Sequence, residues 1–256
     1  MPDAALKQAL RHDRGLVLLA LVAISVLALG YTVWLAKGFD MSGMMAPEFI
    51  PWTVGHFAFM FAMWVVMMIG MMTPSVAPTV LLYAEIGRQS AARGQPFASA
   101  AWFVAGYLLA WIAFGAAATL LQWLLEWGAI VTPMMAGTGR LLGGVILIAA
   151  GIYQWLPVKH ACLAQCRAPL AFVQRHGGFQ ASARGSLRLG LLHGAYCVGC
   201  CGVLMALLFA FGVMNLVWIA GLMIFVLLEK VIPYPRVVSR VSGALACAAG
   251  IALIAT

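Results

Sequence analysis

The sequence predicts an all-α fold: a polytopic transmembrane helical bundle of about seven helices, with the N-terminus inside and the C-terminus outside. Three observations predict it. Hydrophobic residues make up 64% of the chain and charged residues only 9%, against about 25% charged in soluble domains. Seven apolar stretches are each long enough for about 30 Å of hydrocarbon at about 1.5 Å per residue. The basic residues fall almost wholly on one side of a seven-span thread.

The stretches lie near 16–36, 54–83, 97–125, 134–156, 188–211, 213–231 and 238–255. The second holds Pro74 and Pro78, each of which removes a backbone N–H, so a kink is expected there. The fifth and sixth are divided only near Gly212, where a tight hairpin is expected. Gly139 and Gly143 form a GxxxG in the fourth, with Gly144 beside it, a pattern that permits close helix contact. Asn215 suits the cap of the sixth. The thread gives a cytoplasmic tail at 1–15 and one transmembrane domain at 16–256, with a basic cytoplasmic loop at 157–187.

Thirteen basic residues share one side: Lys7, Arg11, Arg14, Arg88, Arg93, Lys159, Arg167, Arg175, Arg184, Arg188, Lys230, Arg236 and Arg240. Only Lys37 and Arg140 fall on the other. The net charge of +8 is therefore read as the positive-inside bias of a multi-pass inner-membrane protein, with no nucleic-acid partner implied. Trp34, Trp52, Trp123 and Trp127 then lie at the outer boundary. The first apolar segment is too long for a cleaved signal core. Long unbroken runs exclude a β-barrel, and the apolar content excludes disorder.

Five of the six cysteines cluster. Cys162 and Cys166 lie in the basic loop and share a face if their segment is helical. Cys197, Cys200 and Cys201 form one stripe on the fifth helix, which His193 extends by a turn. The stripe begins near the cytoplasmic surface, on the side of the Cys162 loop, so the two clusters can meet. Thiolates and imidazole suit a soft or borderline ion, Cu(I) first and Zn(II) second. Cysteine also packs well as a small apolar residue, which suffices for Cys247.

Methionines are numerous, 15 in all. Met60, Met63, Met67 and Met71 step by three and four along the second helix, with Met68 and Met72 beside them and His56 at the outer end. Met41, Met44, Met45, Met134 and Met135 lie in outer loops. Neutral thioethers suit Cu(I), so the column reads either as a copper route or as flexible packing. Glu229 and Lys230 end the sixth helix near the cytoplasmic boundary, with Glu85 also interfacial. Lys230 can snorkel to headgroups, while Glu229 needs a donor, a cation or a proton.

Together these motifs resemble a bacterial family of metal-binding integral membrane proteins, domain of unknown function 2182. The resemblance runs from Met63, Trp64, Met67, Met68, Met71, Met72, Thr73, Pro74 and Ser75 through Gly151, Tyr153, Gln154, Pro157 and Lys159. It continues through Cys162, Cys166, Arg167, Pro169, Cys197, Gly199, Cys200, Cys201, Met214, Asn215, Trp218, Glu229 and Lys230. Gly202 stands where the family often has an aromatic residue. The resemblance implies a bacterial membrane and metal binding, of a copper type, without a defined reaction.

The leading reading is capture, transfer or transport of a soft metal within the bilayer, with a membrane or periplasmic protein as partner. A membrane copper oxidase or hydroxylase, a thiol oxidoreductase using Cys197 and Cys200, and a plain partner subunit are the alternatives. No P-loop, HExxH or serine-triad motif supports ATP-driven transport or common hydrolysis.

Overall fold

The computed structural model describes residues 17–34, 52–128, 139–213 and 215–255. Lys37, Met41, Met44, Met45, Met134, Met135 and Met214, like the N-terminal basic residues, lie outside the described residues. All regular structure among the described residues is helical.

The helices are α1 (Val17–Trp34), α2 (Val54–Ala92), α3 (Ala100–Trp127), α4 (Arg140–Tyr153) and α5 (Pro157–Arg167). They continue as α6 (Pro169–Arg175), α7 (Ala183–Met205), α8 (Leu207–Phe211), α9 (Leu216–Val231) and α10 (Pro235–Ala255). Among the described residues, five helical segments are long and apolar enough to cross a membrane: α1, α2, α3, α7 joined to α8, and α10. α4 and α5 pass the same test only when taken together, with a 66° bend between them. α9, at 16 residues, is shorter than the ~20 a perpendicular span uses.

The element boundaries follow local chemistry. Thr53 Oγ1 accepts from the His56 N–H and caps α2. α2 then runs as one helix through Pro74 and Pro78, well past the expected end at residue 83. Side-chain hydroxyls bond carbonyls beside these prolines: Thr73 to Ile69 O at 2.7 Å and Ser75 to Met72 O at 2.9 Å. α8 ends at Gly212, whose φ of 92° makes the turn that separates α8 from α9. Asn215 Oδ1 caps α9 by accepting from Val217 N and Trp218 N.

The expected 157–187 loop is not simply a loop, for it holds α5 and α6. Pro157 and Pro169 each occupy a first helical turn, where a missing N–H costs nothing. Leu163, Cys166, Phe172 and Val173 then turn apolar faces onto the bundle.

α3 and α7 pack most extensively. Their backbones touch where glycines remove side chains: a Cβ at Gly106 would lie 2.0 Å from Leu187 O, and one at Gly190 1.9 Å from Phe103 O. The close contact of α4 is made differently from the expected GxxxG. Gly139 caps α4 and meets nothing within 4 Å among the described residues, whereas Gly144 and Gly151 face Gly250 and Gly243 of α10. One helical face can meet only one neighbour, and α10 lies along the Gly144 face. Many large apolar side chains, such as Leu27, Leu141 and Val217, point outward, as hydrocarbon solvent permits.

Candidate metal centre

The thiols meet where α5 lies across α7. Cys197, Cys200 and Cys201 stand on the buried face of α7. Cys166, near the end of α5, faces them, with its Sγ 3.9 Å from Cys200 Sγ. The sulfurs of Cys166, Cys197 and Cys200 lie within 4.8 Å of one another, and all three residues are buried. A trigonal ion with metal–sulfur bonds near ~2.3 Å needs sulfurs about 4 Å apart. The triangle therefore closes on an ion with sub-ångström adjustment. No disulfide joins the described cysteines, so every sulfur is free to bind.

Cys201 Sγ stands beside the triangle and not in it, bonding Cys197 O at 3.0 Å and lying 3.9 Å from Met72 Sδ. It thus joins the thiols to the methionines of α2. Met60, Met63, Met67, Met68, Met71 and Met72 are all buried. Cys162 sits one turn before Cys166 and is only half-buried. It packs against Gly199, where a Cβ would meet its sulfur at 2.8 Å. Cys247 lies apart on α10, its Sγ 3.7 Å from Ile148 O.

His193 is brought near the stripe but not into the triangle. Its ring is buried among Phe103, Tyr107 and Phe172, with centroids 5.7, 6.0 and 4.8 Å away. Its Nδ1 has no hydrogen-bond partner among the described residues. His56 stands at the far end of α2, its ring edge-on to Trp52 at 4.9 Å.

The charges at the end of α9 behave differently from the headgroup role open to Lys230. Its ammonium turns inward, donating to Cys197 Sγ at 3.2 Å and Ser75 Oγ at 2.9 Å. Tyr107 OH closes this side, 3.3 Å from Cys197 Sγ and donating to Met72 O at 3.1 Å. A thiolate–Cu(I) assembly with two or three thiolates is anionic, and a cation in low dielectric beside it offsets that charge. Glu229 finds its cation in Lys159, whose Nζ bonds both carboxylate oxygens at 2.6 and 2.9 Å. Ser239 Oγ donates to the same carboxylate at 2.9 Å, and Arg167 Nη1 to Glu229 O at 2.8 Å. Lys159 and Arg167 flank the α5 cysteines, so this network ties α5 to α9 and, through Ser239, to α10. Tyr153 OH bonds Gly199 O from the α4 side. Glu85 pairs with Arg88.

Sequence reasoning gave no site role to Lys159, Arg167, Ser75 or Tyr107, although the first three are among the residues that carry the family resemblance. Lys159 and Arg167 were counted as basic loop charge, and a lone tyrosine or serine gives no periodic signal. It also passed over Gln122 and Glu126, buried on α3.

The PpoB2 copper chaperone family matches residues 61–253, which hold every thiol and all of the α2 methionines except Met60. The chain belongs to the PpoB2 copper chaperone family. Copper handling and metal binding follow for this helical, membrane-like chain, and zinc gains no support. No curated protein and no solved structure matches the chain.

Proposed function

We propose that the chain is a bacterial inner-membrane copper chaperone. It holds one Cu(I) on Cys166, Cys197 and Cys200 and passes it to a partner protein. The observation that carries this reading is the buried triangle of three sulfurs within 4.8 Å. Soft thiolates select Cu(I) over harder ions, and burial keeps the ion from water and oxidants. Half-buried Cys162, on the same helix as Cys166, supplies the thiol through which the ion leaves. Ligand exchange through a neighbouring sulfur avoids a bare ion at every step.

The test uses the purified full chain, loaded anaerobically with Cu(I) and mixed with an apo copper acceptor. One chelator-resistant Cu(I) per chain is expected, with direct transfer to the acceptor. Cys162→Ser should slow that transfer about tenfold while copper remains bound. A chain that retains no copper refutes the proposal.

The same reading takes seven spans, N-terminus inside, with α4 and α9 completing the crossings. The thirteen-to-two division of basic residues supports it. A C-terminal alkaline-phosphatase fusion should be active and one within 157–187 inactive. The reverse pattern would overturn the orientation.

A further inference from the structure

We propose a second copper site at the opposite end of the methionine column, built from Glu126 and Met60. It rests on the reading of the chain as a Cu(I) carrier. Glu126 is buried near the end of α3. Its Oε2 accepts from Trp52 Nε1 at 2.8 Å and its Oε1 from Gln122 Nε2 at 3.0 Å. Both donors are neutral, and no cation stands within ion-pair distance of Glu126 among the described residues. Glu229, the other buried carboxylate among them, is neutralised by Lys159. A buried carboxylate with only neutral donors is costly in an apolar bundle unless it serves an ion or a proton.

The surroundings select the ion. Gln122 Nε2 also lies 3.8 Å from Met60 Sδ, and Gln122 Oε1 accepts from Trp64 Nε1 at 2.9 Å. The amide thus holds a thioether and a carboxylate at one place. Each carboxylate oxygen has about two lone-pair sites and uses one here, so a coordination position remains on each. His56, one turn before Met60, is the imidazole at this end, its ring on Trp52. The thioether is the soft donor that suits a monovalent cation such as Cu(I), and the carboxylate supplies its counter-charge.

Electrostatics gives the site its purpose. Met60 and Met72 are twelve residues apart on α2, or about 18 Å along the helix. Between them Met63, Met67, Met68 and Met71 are buried and neutral. A Cu(I) ion held by thioethers alone carries its whole charge into low dielectric, so counter-charge is needed where it rests. The thiols provide it at the Met72 end and Glu126 at the Met60 end. The column becomes a path between two anionic stations.

The experiment titrates the full chain in detergent with Ag(I), a redox-stable soft monovalent ion. The native chain should retain two Ag(I), and Glu126→Gln and Met60→Leu should each retain one. A chain with all six cysteines replaced by serine should retain one Ag(I), with sulfur and oxygen ligands by X-ray absorption. Adding Glu126→Gln to it should weaken that binding at least tenfold. If the cysteine-free chain fails to fold, the comparison of the native chain with the two single variants decides. Ag(I) retention that is indifferent to both Glu126→Gln and Met60→Leu overturns the proposal. Failure of the thiol reading looks different: the cysteine-free chain would then hold as much Ag(I) as the native one.

Discussion

Cys197→Ser and Cys200→Ser are each expected to remove most of the chelator-resistant copper while leaving the bundle folded. Both sulfurs belong to the buried triangle with Cys166, so loss of either leaves two ligands. Serine replaces a soft thiolate by a hard, protonated oxygen of lower affinity for Cu(I). The fold does not rely on these sulfurs for disulfides, since all described cysteines are free. Copper per chain should fall to below about a tenth of an equivalent, and the helical circular-dichroism signal should persist. Cys166→Ser should behave alike. Cys201→Ser should lose less, because its sulfur turns towards Met72 and Cys197 O. Full copper retention in both the Cys197 and Cys200 variants would refute the thiol site.

The helical membrane class was legible in hydropathy, because a bilayer forces long apolar runs into helices that satisfy their own backbones. The Cys197 stripe and the Met60–Met71 face were legible because helical period fixes which side chains share a side. Which helix each face meets is a tertiary fact. Cys166 joins Cys197 and Cys200 because α5 folds back at 66° from α4, and the sequence marks that bend only by Pro157. The charge count, useful for orientation, hid Lys159, which is wholly buried. His193 shares the stripe's period, yet the rings of Phe103, Tyr107 and Phe172 surround it. Periodicity supplied its direction along α7 but not the aromatic residues that α3 and α6 bring to it. Gln122 and Glu126 escaped because their partners Trp64 and Trp52 lie more than fifty residues away in sequence.

The other large effect is expected at the pair Lys159–Glu229. Lys159 Nζ bonds both oxygens of Glu229, and both side chains are shielded from solvent. Lys159→Met leaves a carboxylate buried with Ser239 as its remaining side-chain donor. Breaking a buried pair from one side costs about 3–5 kcal/mol, since the surviving charge is uncompensated. Replacing both partners by apolar residues of similar volume is often neutral or stabilising. Lys159→Met and Glu229→Leu should therefore each lower the thermal midpoint sharply, and the double variant should recover most of the loss. The site gives a second readout. Lys159 lies on α5, seven residues before Cys166, and its bond to α9 holds that helix in place. The single variants should lose copper through displacement of Cys166, although no ligand is changed. Circular-dichroism melting and copper per chain, measured on all three variants, test both halves. Independent, additive losses in the double variant would show that the two charges do not act as a pair.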